Sequence, residues 1–283
     1  MRQRTITAFF FALVMLGGIY GGKYTFLALF GVITAGCAWE LLGLMLKQED
    51  QFIMLRRLTG TISAILAYLL LAGNALKMVS VTWLMSTWII FPLLFAAWAV
   101  LELFTAGKNP FSNIGSYFLS IVYIGIPFGL LAVIAFKQSE LNLDGAVIQA
   151  DYFPHRVLGL LVLVWTNDVG AYLVGSRLGK NKLLERISPK KTWEGTIGGA
   201  IFAVLAAWGL SFLLKDFTLP QWLALSIVAA IGSNLGDLIE SMLKRSVGVK
   251  DSGILLPGHG GLLDRFDAFI FCLPFYWWVL QLF

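Results

Sequence analysis

The amino-acid sequence predicts an all-α integral membrane protein with about nine transmembrane helices. Three observations carry that class. The chain is 58% hydrophobic and only 13% charged, where soluble domains carry about 25% charged residues. Its mean hydropathy is +0.80, which implies more apolar surface than a soluble core could hide. The apolar residues also come in runs near the length of about 20 that crosses hydrocarbon, separated by Gly, Pro or charge.

Nine such runs can be marked, at 5–20, 24–46, 57–76, 82–103, 112–136, 157–178, 194–214, 221–239 and 262–283. The first follows Met1-Arg2-Gln3-Arg4 and so resembles a signal peptide. It lacks a small-x-small cleavage site and reads as a retained first span. Being short, it is accommodated by less tilt or by local thinning of the bilayer. Cys37 and Cys272 lie inside apolar runs and offer neither a disulfide framework nor a metal-ligand spacing. The net charge of +5 belongs to the loops of a membrane protein, so no nucleic acid is expected as a partner.

Orientation follows from the basic residues. With nine spans, only Lys23, Lys77, Lys137, Arg156 and Lys215 fall on the side opposite the N-terminus, and Arg265 lies within the last span. Arg2, Arg4, Lys47, Arg56, Arg57, Lys108, Lys244, Arg245, Lys250 and the cluster from Arg177 to Lys191 share the N-terminal side. The positive-inside rule then places the N-terminus and loops 179–193 and 240–261 in the cytoplasm, and the C-terminus outside.

Residues 1–136 read as a scaffold of hydrophobic spans, giving lipid access and a surface for dimerisation. Glu40 and Glu102 are the acids in or near its spans, and an intramembrane acid is a functional candidate by default. Glu40, beside Trp39, is placed to line a cavity or pair with a base on another span. Glu102, at a span end, can simply reach water. Trp83, Trp88, Trp98 and Phe104 read as interface anchors and lipid-facing packing, and His155 as a solvated loop histidine.

Residues 137–283 carry the polar chemistry. In the run 157–178, Asp168, Tyr172 and Gly175 fall within about 60° on one helix face. A carboxylate there needs a polar cavity or a partner cation; a structural ion pair is the simpler reading. The next loop carries Ser188, Lys190, Lys191 and Thr192, with Thr192 as a possible N-cap and Glu194-Gly195 opening a helix. Helix-start N–H groups beside lysines and hydroxyls make a phosphate site, although a basic loop can also be a topology signal or an anionic-lipid anchor. Further on, Ser233, Asn234, Asp237, Glu240, Ser241 and Lys244 form one polar stripe on an otherwise apolar helix end, which must face a wet site. Gly232 with Gly236, and Gly195 with Gly199, let neighbouring helices approach closely.

The stretch 241–267 concentrates charge and glycine: Lys244, Arg245, Lys250, Asp251, His259, Gly260, Gly261, Asp264, Arg265 and Asp267. Asp264 and Asp267 are about 60° apart on the last helix. With Asp237 they have the hard-oxygen character that Mg²⁺ requires. His259 is the weaker metal candidate.

Ser241, Lys244-Arg245, Lys250-Asp251, Gly253, Pro257, His259-Gly260-Gly261, Asp264-Arg265 and Asp267 resemble the signature of CDP-diacylglycerol synthases, the phosphatidate cytidylyltransferases. Ser188-Pro189-Lys190-Lys191-Thr192 with Glu194-Gly195, the stretch Asn167-Asp168 to Tyr172, and Gly236-Asp237 to Glu240-Ser241 are also similar to that family. The resemblance is good over the C-terminal half. The N-terminal half is similar only in its hydrophobic spans and a Trp-Glu pair in the second.

The resemblance implies that CTP and phosphatidic acid react to give CDP-diacylglycerol and pyrophosphate, on a homodimer in the bacterial inner membrane whose active site faces the cytoplasm. It implies a divalent metal, Mg²⁺, on Asp237 and Asp264, supported by Asp267. Lys190, Lys191, Lys244 and Arg245 are expected on triphosphate or lipid phosphate, and Arg265 there or orienting Asp264. Asp168 is expected to bind a second cation, of unassigned identity, or to hold a lysine. Ser188, Thr192, Glu194, Asn234, Ser241, Lys250, Asp251, His259, Gly260 and Gly261 complete the expected substrate site.

Two other classes fit less well. A transporter would spread its charges along an ion path, but here they gather at one membrane face and no repeat relates the two halves. Among lipid enzymes, a CTP-dependent polyprenol kinase is a rival, whereas a CDP-alcohol phosphotransferase would need an Asp-Gly…Ala-Arg…Asp helix that the sequence lacks.

Overall fold

The computed structural model describes residues 2–46, 51–76, 90–105, 107–137, 151–253 and 260–283. The chain forms two compact units, one of Met1–Tyr152 with Ser252–Leu263, the other of Phe153–Asp251 with Asp264–Phe283.

In the first unit the helices are α1 (Arg2–Tyr20), α2 (Lys23–Met45), α3 (Ile53–Ala75), α4 (Ile90–Thr105), α5 (Pro110–Ser120) and α6 (Ile126–Ala135). A π turn at Ile121–Gly125 joins α5 to α6. Pro127 accounts for it: proline donates no N–H and its ring crowds the carbonyl four residues back, so the ladder widens in the turn before. Strand β1 (Phe136–Lys137) pairs with β2 (Asp151–Tyr152) in antiparallel register. Phe26, Phe30, Phe136 and Tyr152 form an aromatic cluster there.

The second unit comprises α7 (Pro154–Leu178), β3 (Lys182–Leu184), β4 (Ser188–Thr192), α8 (Trp193–Leu213), α9 (Leu219–Ser246) and α10 (Leu263–Leu280), the last counted from Asp264. β3 and β4 make an antiparallel hairpin, where the sequence reading expected only a loop.

Among the described residues, six helices are long and apolar enough to cross a membrane: Lys23–Met45, Ile53–Ala75, Pro110–Ala135, Pro154–Leu178, Trp193–Leu213 and Leu219–Ser246. They match six of the nine marked runs. Two further runs fall on shorter apolar helices, Phe9–Tyr20 and Ile90–Thr105, with positions 82–89 outside the described residues. The last run is α10, which carries Asp264, Arg265 and Asp267 in its first turns. Exposed apolar side chains such as Val32, Leu69, Leu103, Leu205 and Leu213 line the helix surfaces, as lipid contact requires.

Three residues of the N-terminal half, Glu102, Arg56 and Trp98, are buried where the sequence suggested exposure. Trp98, Glu102 and Thr105 recur at helical spacing and form the buried face of α4. Glu102 therefore does not reach water. Its Oε1 and Oε2 accept from Nε and Nη2 of Arg56, each at 2.9 Å. Tyr117 Oη donates to Oε1 at 2.7 Å and Asn113 Nδ2 to Oε2 at 3.0 Å. Arg56, expected as a loop charge, sits within α3 with its side chain 1% exposed. Trp98 packs on Tyr117 and Phe118 rather than facing lipid. His155 belongs to the first turn of α7, with Nδ1 3.9 Å from Asp216 Oδ2.

Candidate active site

The second unit builds its polar site on a close helix pair. A side chain at Gly199 of α8 would meet the Asn167 carbonyl of α7 at 2.7 Å, and one at Gly195 would meet the Ala171 carbonyl at 2.9 Å. The expected role of these glycines in helix approach is borne out. On the other flank of α9, a side chain at Gly236 would lie 2.8 Å from the Asp267 carbonyl, and one at Gly232 would lie 2.6 Å from Cys272 Sγ. These contacts place Asp168 of α7, the start of α8, the end of α9 and the start of α10 in one neighbourhood.

The hairpin is folded by Glu194. Its carboxylate accepts from the backbone N–H of Lys180 at 3.1 Å and of Asn181 at 3.2 Å, and from Asn181 Nδ2 at 2.7 Å. The N–H of Trp193 donates to the Asn181 carbonyl at 2.9 Å, and Lys182 pairs with Thr192 across the strands. An acid in the first turn of α8 also suits the helix dipole. Thr192 is the N-cap the sequence suggested: its Oγ1 accepts from Gly195 N at 3.2 Å. Lys182 is fixed by donating to the Pro189 carbonyl at 2.7 Å.

The polar stripe of α9 faces this hairpin. Lys191 Nζ lies 2.7 Å from Asp237 Oδ2 and 3.4 Å from the Asn234 carbonyl. Ser241 Oγ donates to Asp237 Oδ1 at 3.2 Å. Thr196 Oγ1 donates to Asn234 Oδ1 at 3.5 Å. One turn further on, Lys244 Nζ bridges Glu240 Oε2 at 2.7 Å and Asp264 Oδ1 at 2.6 Å. Asp267 takes the N–H of Ala268 at 2.7 Å and lies within electrostatic range of Asp237 and Glu240. Asp168 senses both Lys191 and Asp237.

Helix α9 ends at Ser246, two residues past Lys244. The N–H groups of Gly248 and Val249 return to the carbonyls of Arg245 and Lys244, a Schellman closure. Gly248 has φ 76, left-handed backbone that glycine adopts without strain.

A cavity of about 600 Å³ opens between these elements, lined by Asp168, Tyr172, Lys182, Lys190, Lys191, Thr192, Thr196, Asn234 and Asp237, among others. The structure thus gathers Asp168, Lys190, Lys191, Thr192, Asn234 and Asp237 as the sequence suggested, with Ser241, Lys244, Asp264 and Asp267 beside them. It adds Lys182 and Thr196, and brings in Tyr172 and Glu240, which the sequence placed on these polar faces without a role of their own. Glu240 was legible as the residue four before Lys244 on the polar stripe, and Thr196 as the residue one turn after Thr192. Ser188 opens β4. Arg245 is exposed and donates to the Val249 carbonyl at 3.1 Å; Lys250, Asp251 and Arg265 are exposed as well. Gly260 and Gly261 belong to the first unit. His259 lies outside the described residues.

Residues 2–283 match the cytidylyltransferase family. The chain belongs to that family. It is similar to the phosphatidate cytidylyltransferase of Staphylococcus haemolyticus, 38% identical over 97% of this chain and 96% of that protein. The phosphatidate cytidylyltransferase of Bacillus subtilis is 34% identical over 100% of this chain and 98% of that protein, and that of Staphylococcus aureus strain COL is 34% identical over 97% of this chain. The family resemblance read from the C-terminal half is borne out and extends over the whole cytidylyltransferase chain.

Proposed function

We propose that this chain joins CTP to phosphatidate, giving CDP-diacylglycerol and pyrophosphate at the cytoplasmic face of a bacterial inner membrane. The observation that carries this reading is the cavity in which Lys182, Lys190 and Lys191 of the hairpin face Asp168 and Asp237. Such a site offers cations to a triphosphate and carboxylates to its counter-ion.

The chemistry asks for little beyond placement. An oxygen of the lipid phosphate attacks the α-phosphorus of CTP; that P–O bond forms as the bond to the β-phosphate oxygen breaks and pyrophosphate leaves. The phosphate monoester is already a nucleophile, so no strong general base is needed. Two anions must be brought together, so positioning and charge neutralisation dominate. Lys190 and Lys191 hold triphosphate oxygens at the start of α8, where helix N–H dipoles add to the field. Lys244 and Arg245 are assigned to phosphate as well, with Lys244 also keeping Glu240 and Asp264 in place. Arg265 is assigned to the same task or to orienting Asp264.

The donor set fits a hard divalent cation by its chemistry. Asp168, Asp237, Glu240, Asp264 and Asp267 share two lysines, Lys191 and Lys244. As arranged, lysine ammonium groups serve as the counter-ions, and no three of the described His, Cys, Asp or Glu residues converge as a ligand set. Asp237, Asp264 and Asp267 are proposed to hold Mg²⁺, and Asp168 a second cation or a lysine. Bound there, Mg²⁺ would offset the repulsion between the two phosphates.

In this proposal the chain crosses the membrane nine times, with the N-terminus cytoplasmic and the C-terminus outside, and pairs as a homodimer in the membrane. Membranes containing the protein are expected to convert labelled CTP and phosphatidate to CDP-diacylglycerol only with Mg²⁺ or a similar ion. No lipid-linked CDP product would remove the assignment. A C-terminal reporter is expected to be active outside the cytoplasm; a cytoplasmic signal would break the nine-span topology. Cross-linking in native membranes that yields only monomer would remove the dimer.

A further inference from the structure

Glu40 lies in the interior of α2 with 6% of its surface exposed, far in sequence from the residues assigned to the site. Its carboxylate is occupied by one short segment. Oε1 accepts from the backbone N–H of Leu262 at 3.0 Å. Oε2 accepts from the N–H of Leu263 at 2.8 Å and from Ser252 Oγ at 3.1 Å. A single side chain therefore ties together both ends of the glycine-rich stretch. Leu263 is the first residue of α10 and immediately precedes Asp264 in the chain.

The surroundings are shaped for this contact. A β-carbon at Gly253 would fall 2.5 Å from Glu40 Oε1, and one at Gly261 would run into Ser252 Oγ and Glu40 Oε2. One turn before Glu40, a β-carbon at Gly36 would meet the Leu262 side chain at 2.6 Å. So α2 presents a carboxylate and a bare patch of backbone to the segment. Behind it, Arg57 Nη2 donates to the Trp39 carbonyl at 2.8 Å with its guanidinium carbon 4.1 Å above the Trp39 ring, and its charge reaches Glu40.

We propose that Glu40 is a positioning residue for the reaction proposed above. It fixes the backbone at Leu262 and Leu263, and thereby the point at which α10 starts and Asp264 enters the site. The chemistry requires a carboxylate of this length. A carboxylate accepts two adjacent N–H donors at once, charge-assisted. Glutamine would turn an NH₂ toward one of them, and aspartate is one methylene too short to span from α2. The inference rests on the functional reading of the site.

The test uses the full-length protein, purified in detergent or nanodiscs, as wild type, Glu40→Gln, Glu40→Asp and Ser252→Ala. Hydrogen exchange of peptides containing Leu262 and Leu263 reports the contact itself; kcat and KM for CTP and phosphatidate report its use. In Glu40→Gln, exchange there is expected to accelerate while α3 peptides stay protected, and kcat to fall about 10- to 100-fold with both KM values nearly unchanged. Glu40→Asp is expected to behave alike, since reach and not charge alone is at stake. Wild-type exchange, faster exchange with wild-type kcat, or a change confined to KM would each overturn the proposal. If the Glu40 variants do not insert, Ser252→Ala, which removes one of the three bonds, carries the same two readouts at smaller amplitude. Inactive wild-type protein would instead overturn the functional reading, and is distinguished by failing before any substitution is made.

Discussion

The ammonium of Lys191 sits 2.7 Å from the carboxylate of Asp237, so the basic hairpin and the acidic stripe of α9 are joined by one ion pair at the cavity. The side chains are 21% and 41% exposed, and pairs so open to solvent contribute only about 0–1 kcal/mol to stability. Its consequence is positional. Lys191→Met and Asp237→Asn are each expected to lower kcat by about 100-fold or more, with melting nearly unmoved. The double variant is expected to lose less than the product of the two, because the residues act as a unit. Initial rates of CDP-diacylglycerol formation check this; multiplicative losses would show two independent roles.

Lys244 is a different case because its pair of acids is out of water. The side chains of Lys244, Glu240 and Asp264 are 11%, 1% and 9% exposed. Removing the ammonium leaves two neighbouring carboxylates uncompensated, which costs about 3–5 kcal/mol where one partner of a buried pair is lost. Lys244→Met should melt well below wild type in detergent, and Glu240→Gln added to it should recover part of the loss by removing one charge. Equal melting of Lys244→Met and wild type would show the triad to be solvated.

Much of the fold was legible because hydrophobic runs bounded by charge map directly onto helices in this chain. What escaped was the direction of side chains around each helix. Glu102 was read by its place near a run's end, but the spacing of Trp98, Glu102 and Thr105 puts all three on the buried face of α4. Arg56 likewise looked like a flanking loop charge until α3 extended past it to Ile53. The hairpin of Lys182–Leu184 and Ser188–Thr192 was hidden because its strands are short and basic, and it is organised by a glutamate from the next helix.

The site was more legible than the hairpin that frames it. Residues at helical spacing on α9, and the Thr192 cap, could be placed on one face from the sequence. Arg245, although adjacent to Lys244, lies about 100° round the helix from it and is exposed, donating to the Val249 carbonyl. Glu40 could be flagged as an intramembrane acid, but its partners are backbone N–H groups, which leave no trace in side-chain identity.

The Arg56–Glu102 pair gives a second test of buried charge. Glu102 accepts from Arg56, Tyr117 and Asn113, so its removal strands several donors. Glu102→Ala is expected to destabilise by about 3–5 kcal/mol, and Arg56→Lys by less, since an ammonium keeps the charge but not the two-pronged geometry. Thermal unfolding of the purified variants measures both. A Lys variant as unstable as Glu102→Ala would mean that geometry, not charge, carries the network.

Gly199 tests whether helix proximity underlies the site. A methyl group there would lie 2.7 Å from the Asn167 carbonyl, 2.8 Å from Asn167 Oδ1 and 3.1 Å from Ala171 Cβ. The nearest of these is backbone, which cannot rotate aside, so α7 and α8 would have to part. Asn167 is adjacent to Asp168, and parting the helices should move that carboxylate relative to Lys191. Gly199→Ala is therefore expected to cost about 1–3 kcal/mol and to lower kcat as well. Gly209, on the same helix, has nothing within 4 Å of a β-carbon. There the methyl group meets no neighbour and alanine's helix preference over glycine, about 1 kcal/mol, is free to act. Gly209→Ala should hold or raise the melting temperature and leave kcat alone. Equal effects from the two substitutions would show that α8 tolerates side chains on both faces and that close approach to α7 does not set the position of Asp168.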